Sequence, residues 1–315
     1  MTCHNCQTIC NRFGKHRNGL QRYRCSQCRK TFTEDHARPL DDMRVPLDRA
    51  LLCLQLLLEG NSVRSTERIT GVHRDTILSL LEVAGLRAEK LLSEKIRELR
   101  VRDVECDEIW EWVGMKEKNK IIETDLLGDA YCFVGIERNT KLILAWHLGR
   151  RSAHDTRLFM EKLREATSER FQLTTDAFTP YPNAVERSFG IDVDYAQMQK
   201  VYAAARDGEQ RYSPAEVVDV QVVPRVEMPD YERICTSHIE RQNLTIRMAM
   251  RRMTRLTNAF SKKWANLKYA YALWFAFYNF CRRHSSIRVT PAMEAGLADH
   301  VWRIEELIEI QKKQE

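Results

Sequence analysis

The chain has 315 residues, 43% hydrophobic and 30% charged, enough to bury one large core and one or two small ones. It holds no run of about eighteen uncharged apolar residues, and its start is rich in cysteine and basic residues. A membrane span and a secretory signal are therefore not expected, and a reducing, cytoplasmic setting is. The net charge of +6 is concentrated at the front. Residues 1–38 carry eight Lys or Arg against Glu34 and Asp35, so the remainder sums to zero. Such a footprint suits a module that meets phosphate.

Ten cysteines in a reducing compartment point to metal before disulfides. Four form two CxxC pairs, Cys3 with Cys6 and Cys25 with Cys28, separated by eighteen residues. Two short turns, each presenting two thiolates, can complete a tetrahedron around structural Zn²⁺. The alternatives are a redox CxxC or unpaired buried thiols, with His4 or Cys10 as substitute ligands. The segment between the pairs, "NRFGKHRNGLQRYR", is basic with interleaved aromatics. A ribbon over residues 1–37 with this composition is expected to contact DNA, with Arg17 and Arg22 as candidates. A solvated basic loop holding a protein contact is the plainer reading. Cys53 reads as a small buried hydrophobe.

"ARPLDD" (37–42) reads as a linker. An apolar helix pattern runs from Pro46 to Glu59 and stops at "GNS". Ser62 can cap a short helix over 63–69, "TGV" makes a tight turn, and "HRDTILSLLEVAGL" starts a third helix. A further helix, "AEKLLSEKIREL", leads towards residue 100. The short helix and its successor form a helix-turn-helix pattern within residues 41–98. His73, Arg74, Asp75 and Thr76 begin the helix that such units place in the major groove, so His73, Arg74 and Thr76 are candidate DNA contacts. An ordinary helical hairpin would show the same pattern.

Beyond residue 100 the period changes. "VRDVECDEIWEWVG" (101–114), "DAYCFVGIER" and "KLILAWHLG" read as strands, with a turn at Asn139 and Thr140. Residues 153–168 read as a helix, "RFQLTTD" as a strand ending at Asp176, and 178–188 as helical. Residues 191–230, with Pro214, Pro224 and Pro229, suggest short strands and loops. Long helices follow from Ser237 and from about Ser261, then another with Thr290 as cap and Pro291 at its first position. Strands and helices in this order predict an α/β or α+β domain over residues 101–300. The aromatic series Trp264, Tyr271, Trp274, Phe275 and Tyr278 has the spacing of a core helix face. The tail, 301–315, has an amphipathic spacing that could cover the core or pair with another protomer.

"SHIERQNLTIRMAMRR" (237–252) carries four arginines and one acid, Glu240. "SHIE" fits a capping box, with Ser237 at the N-cap and Glu240 answering it. At about 100° per residue, Arg247 and Arg251 fall within about 20° of Glu240. A carboxylate at the rim of a basic face also suits a metal ion approached by a phosphodiester. Such a site needs more carboxylates. Asp107 sits inside an apolar strand, although periodicity does not separate it from Glu105 or Glu108. Asp176 ends a strand, where open α/β sheets place ligands. His154, His238, Lys262, Lys263, Arg282 and Arg283 have structural or solvated readings that serve as well as functional ones.

"VECDEIW", "LTTDAF" and "SHIERQNLTIRMAMRRMTRLTNAFSKK" resemble the three acidic motifs of insertion-sequence transposases of the IS-one type. "YNFCRRHSSIRVTPAMEAGL" is also similar to the end of many transposase and integrase cores. The resemblance covers nearly the whole chain, least clearly residues 191–230 and those after 300. It implies a zinc ribbon and a helix-turn-helix before an RNase H-like catalytic domain. The first strand of that domain is central, the second acid ends the adjacent fourth strand, and a helix brings the third. The triad it implies is Asp107, Asp176 and Glu240, holding two Mg²⁺ or Mn²⁺. One ion would activate water or a DNA 3′-hydroxyl, and the other would stabilise the leaving oxygen. Arg247 matches a basic position that contacts transposon-end DNA, with Arg251 beside it on the helix. The implied partners are double-stranded element ends and target DNA, in a homodimer or larger synaptic complex, with no membrane, in a prokaryotic cytoplasm at the nucleoid. A catalytically inactive or domesticated DNA-binding regulator is the rival reading, and a nuclease on the same fold without joining activity is a second.

Overall fold

The computed structural model describes residues 1–16, 19–34, 40, 43–121, 124–202, 217–254 and 257–309. These divide into two compact units, Met1–Met43 and Arg44–Glu315.

The first unit is a small antiparallel sheet of β1 (Cys10–Lys15), β2 (Gln21–Cys25) and β3 (Thr31–Thr33), in that order. Pairing of Cys10 with Cys25 brings the start of β1 to the end of β2. Its apolar centre is Cys3, Cys10 and Cys25, with Tyr23 and Phe32 packed against them. A core this small cannot hold a fold by burial alone, so cross-linking must contribute.

The second unit begins with α1 (Leu47–Leu58), α2 (Val63–Thr70) and α3 (Arg74–Lys95). Ser62 caps α2 as its sequence predicts, accepting from the Ser65 amide at 3.0 Å. Gly71 ends α2 with φ +70°, the left-handed conformation that a non-glycine residue adopts at a cost. The two helices expected over residues 73–100 are one, because Gly85 does not break α3. Gly85 faces α7 (Trp264–Phe280), and a Cβ on it would lie 2.5 Å from the Cβ of Tyr269. Its role is close helix approach. Tyr271, Trp274, Phe275 and Tyr278 of α7 are buried and form core, while Trp264 at the start of the series is half-buried.

Then come β4 (Leu99–Arg100), β5 (Asp103–Val113), β6 (Gly128–Glu137), β7 (Ile143–Gly149), α4 (Ala153–Ala166), β8 (Thr167–Ser168), β9 (Phe171–Asp176), α5 (Tyr181–Phe189), β10 (Val193–Tyr202) and β11 (Val217–Val226). The six-stranded sheet has the order β11-β10-β9-β5-β6-β7, while β4 pairs only with β8. β5, β6 and β7 form an antiparallel meander. β9 runs parallel to β5, β10 parallel to β9, and β11 antiparallel to β10. The stretch expected as short strands and loops thus includes two ten-residue strands. Pro224 is compatible with β11 because that strand is a sheet edge.

α6 (Ser237–Ala249), α7, α8 (Pro291–Glu294) and α9 (Ile304–Glu309) complete the unit. Thr290 caps α8 as expected, accepting from the Met293 amide. Leu307 and Ile308 of α9 are buried, and Arg87 of α3 donates to the Ile308 carbonyl at 2.7 Å. The described part of the tail therefore covers the core. Among the described residues, no helix is long and apolar enough to cross a membrane.

Gly85→Ala improves helix propensity by about 1 kcal/mol but forces α3 off α7. The net effect expected is a loss of about 1–2 kcal/mol, read as a lower urea midpoint, since overpacking costs about 1–3 kcal/mol.

Candidate functional site

In the first unit, Cys3, Cys6, Cys25 and Cys28 bring their sulfurs within 4.8 Å of one another. The two CxxC turns are built alike. Gln7 and Arg29, each just after a second cysteine, take φ +56°. Their amides donate to the Cys3 and Cys25 carbonyls, at 2.9 and 3.1 Å. A tetrahedron of zinc–sulfur bonds has edges of about 3.8 Å. Cys3 and Cys28 Sγ stand 3.6 Å apart, so this is a possible zinc-binding site. Hydrogen bonds from Thr8 and the Cys28 amide push the Cys25 thiol down to about 6. Cys6, hydrogen-bonded to Cys28, is pushed up to about 12. Four crowded sulfurs cannot all ionise without a cation between them. His4 and Cys10 are not among the four; the His4 ring packs on Phe32. Arg22 and Arg24 place their guanidinium groups over the Phe13 ring, at 5.4 and 5.0 Å. Arg17 lies outside the described residues.

In the second unit, strand register places the acids. β5 pairs Cys106 with Thr175 of β9, so Asp107 and Asp176 are the next neighbours along. Asp107, Asp176 and Glu240 all line one cleft of about 480 Å³, together with Arg151, Lys200 and Thr236. The tightest acidic group is a different one: Asp107, Glu108 and Asp176 have carboxylate oxygens within 4.8 Å of one another. Asp107 accepts from the Glu108 amide and from Asn243 Nδ2, both at 2.8 Å. Asp176 accepts from the Phe178 amide at 3.1 Å. Arg151 reaches Glu108 at 3.7 Å and Asp176 at 3.9 Å, with its guanidinium 4.2 Å from the Phe178 ring centre. One guanidinium thus pairs with two of the three carboxylates. Burial, then the Asp176 charge, raises Asp107 to about 7 and Glu108 to about 8. Asp176 is also raised by burial.

Glu240 is not part of a capping box. The N-cap of α6 is Thr236, one residue earlier than expected, and its side chain makes no capping bond. Glu240 instead accepts from the Thr236 hydroxyl at 2.8 Å and pairs with Lys200. The orphan amides of α6 go to Glu105, a carboxylate buried in β5. Its Oε2 accepts from the His238 and Ile239 amides at 2.9 and 3.1 Å, and its Oε1 meets His238 Nδ1 at 2.7 Å. The three acids that the strand pattern left unresolved have distinct surroundings: Glu105 holds a helix, Asp107 faces the cleft, and Glu108 is buried beside it.

The basic face expected on α6 is not formed. The helix ends at Ala249, Met250 is extended, and Arg251 begins a separate 3₁₀ turn, so Arg251 does not share a helix face with Glu240. Arg247 donates to the Trp110 and Met253 carbonyls at 3.0 and 3.2 Å and ties α6 to β5. Arg251 lines a second cleft, of about 900 Å³, together with Arg64, Arg74 and Lys262. Arg74 is exposed at the start of α3; His73 is exposed and caps that helix by accepting from the Asp75 amide; Thr76 is half-buried. The strand pattern marks Glu105 and Glu108 without telling them from Asp107, while Arg151, Lys200 and Asn243 carry no sequence signal of their own, since their placement depends on contacts between distant segments. No family model and no curated protein matches the chain.

Raised carboxyl pKa values mean that the folded state holds extra protons. Their contribution is present below the ordinary carboxylate range near pH 4 and is lost as pH rises through 7 to 8. In buffer free of divalent cations, Asp107→Asn should therefore be more stable than wild type at pH 8, by about 1–2 kcal/mol, with the gap closing towards pH 5. Urea titrations across this range check it, and parallel pH profiles would contradict it.

Proposed function

We propose that the chain is a DNA transposase whose second unit has an RNase H-like catalytic core and whose first unit is a zinc ribbon. The observation that carries this reading is the meeting of Asp107 and Asp176, at neighbouring positions of adjacent parallel strands, with Glu240 across the same cleft. The topology that the resemblance implies supports it: β5 is central, β9 lies beside it, and a helix carries the third acid. An all-oxygen donor set suits Mg²⁺ or Mn²⁺, whereas the four thiols suit Zn²⁺.

Two such ions, held by Asp107, Asp176 and Glu240, would supply activation of water or a DNA 3′-hydroxyl and stabilisation of the leaving oxygen in an in-line displacement. The chain's own residues do the positioning. The Glu108 amide and Asn243 Nδ2 each hold one oxygen of Asp107, which fixes its carboxylate where it lines the cleft. Arg151, half-exposed at the rim, offers positive charge where a phosphodiester would enter. Lys200 holds Glu240 in place, and ion binding would exchange that ammonium for metal. Arg74 and Arg251, lining the larger cleft, and the exposed start of α3 are the contacts for element-end DNA in this reading. Arg22 and Arg24 around Phe13 would meet DNA from the ribbon. Joining two ends to a target requires at least two copies of the chain.

The test is Mg²⁺-dependent nicking and joining of duplex DNA carrying the sequences that flank the gene. Wild type should act, whereas Asp176→Asn should lose at least about a thousandfold in rate while binding the same DNA within about twofold, because one metal ligand goes and the DNA contacts stay. Binding without cleavage by either protein would favour a DNA-binding regulator. Full activity in Asp176→Asn would remove the acid from the mechanism.

A further inference from the structure

Apart from the four-thiol group and the acidic cleft, one more set of metal-ligating side chains converges among the described residues. Glu105 of β5, Cys235 just before α6 and His238 in its first turn have donor atoms within 4.8 Å of one another. We propose that these three residues form a second transition-metal site, of the Zn²⁺ class, that clamps the start of α6 to β5.

The donor set is the first reason. A thiolate, an imidazole nitrogen and one carboxylate oxygen form a mixed soft and borderline set, which selects zinc-like ions over Mg²⁺. Three protein ligands with an open fourth position make a recurrent zinc arrangement. Charge is the second reason. A thiolate and a carboxylate balance a divalent ion, and the coordination step is simple: Cys235 releases its thiol proton, His238 ligates as neutral imidazole, and no electrons move. Placement is the third. Glu105 is nearly fully buried, its side chain 3% exposed, whereas His238 at 29% and the half-buried Cys235 open to solvent. An ion can enter from outside and meet an inner carboxylate that is already fixed.

The fit requires little movement. Donors around zinc at about 2.0–2.3 Å stand roughly 3.3–3.6 Å apart. The 2.7 Å contact between His238 Nδ1 and Glu105 Oε1 must open by less than about 1 Å, which rotation of His238 provides. Glu105 Oε2 keeps its bonds to the His238 and Ile239 amides meanwhile. Ser237, whose hydroxyl lies 2.9 Å from Cys235 Sγ, is a polar neighbour of the group. Glu105 precedes Asp107 by two residues and His238 precedes Glu240 by two, so the ion would pin two of the three elements that supply the acidic cleft, β5 and α6, without entering it.

The test is zinc content. Full-length wild type, Cys235→Ser and His238→Gln are loaded with Zn²⁺ in excess Mg²⁺, which keeps the all-oxygen cleft occupied, then dialysed and assayed by elemental analysis. Each variant should hold one zinc fewer per chain than wild type. A full-length protein with Cys3, Cys6, Cys25 and Cys28 all changed to Ser should still bind one Co²⁺ with a single-thiolate charge-transfer band, and adding Cys235→Ser should abolish it. Equal zinc in all three proteins, or no such band, would overturn the proposal and leave Glu105 and His238 as a helix cap and ion pair only. Because the readout is metal content, it is independent of whether the protein cleaves DNA.

Discussion

Glu105 is a carboxylate buried inside an apolar strand, and the placement of α6 depends on what it bonds. Such a group is costly to bury unless its oxygens are filled. Here the first turn of α6 fills them, with two backbone amides and the His238 ring. A helix N-terminus has orphan donors and a partial positive charge, so it and the carboxylate each remove the other's burial cost. Two further bonds continue the seam: Asn243 to Asp107, and Arg247 to the Trp110 carbonyl. The helix is thus stitched to β5 at three successive levels, and Glu240 faces the same cleft as Asp107 as a consequence.

Much of this could be read from local pattern. The paired CxxC turns, the Ser62 cap, the Gly71 turn and the meander strands are set by residues close in sequence, and they stand where the pattern put them. Long-range packing decided the rest. Gly85 signals a helix break by propensity, yet its reason is the approach of Tyr269. "SHIE" has the letters of a capping box, but Glu105, more than a hundred residues earlier, takes the His238 and Ile239 amides, and the Glu240 amide goes to the Thr236 carbonyl. Arg247 and Arg251 share a face only if the helix continues past Ala249, and Met250 leaves it. The acids of β5 could not be separated by periodicity, because all three lie in a strand covered on both faces.

The chain also sorts its charges by chemistry. Four sulfur donors converge in the small unit, where core area is scarce and cross-linking matters most. Oxygen donors converge in the large unit where β5 and β9 run side by side, with the Arg151 guanidinium against Glu108 and Asp176. Burial, and then the repulsion from Asp176, raises Asp107 and Glu108 out of the ordinary carboxylate range. A divalent cation relieves it more fully than protons do, because it leaves the carboxylates ionised while cancelling their repulsion. The proposed phosphodiester chemistry rests on this electrostatic demand, with Arg151 as the positive charge left at the rim.

The most direct measurement is Mn²⁺ binding to the zinc-loaded protein, followed by electron paramagnetic resonance at pH 7.5, with Asp107→Asn and Asp176→Asn beside wild type. The account predicts that wild type takes up Mn²⁺, that excess Mg²⁺ displaces it, and that each variant binds at least about tenfold more weakly, the loss expected for one carboxylate ligand. Equal Mn²⁺ affinity in all three proteins, or none in wild type, would contradict it, because the acidic cleft would then hold no cation.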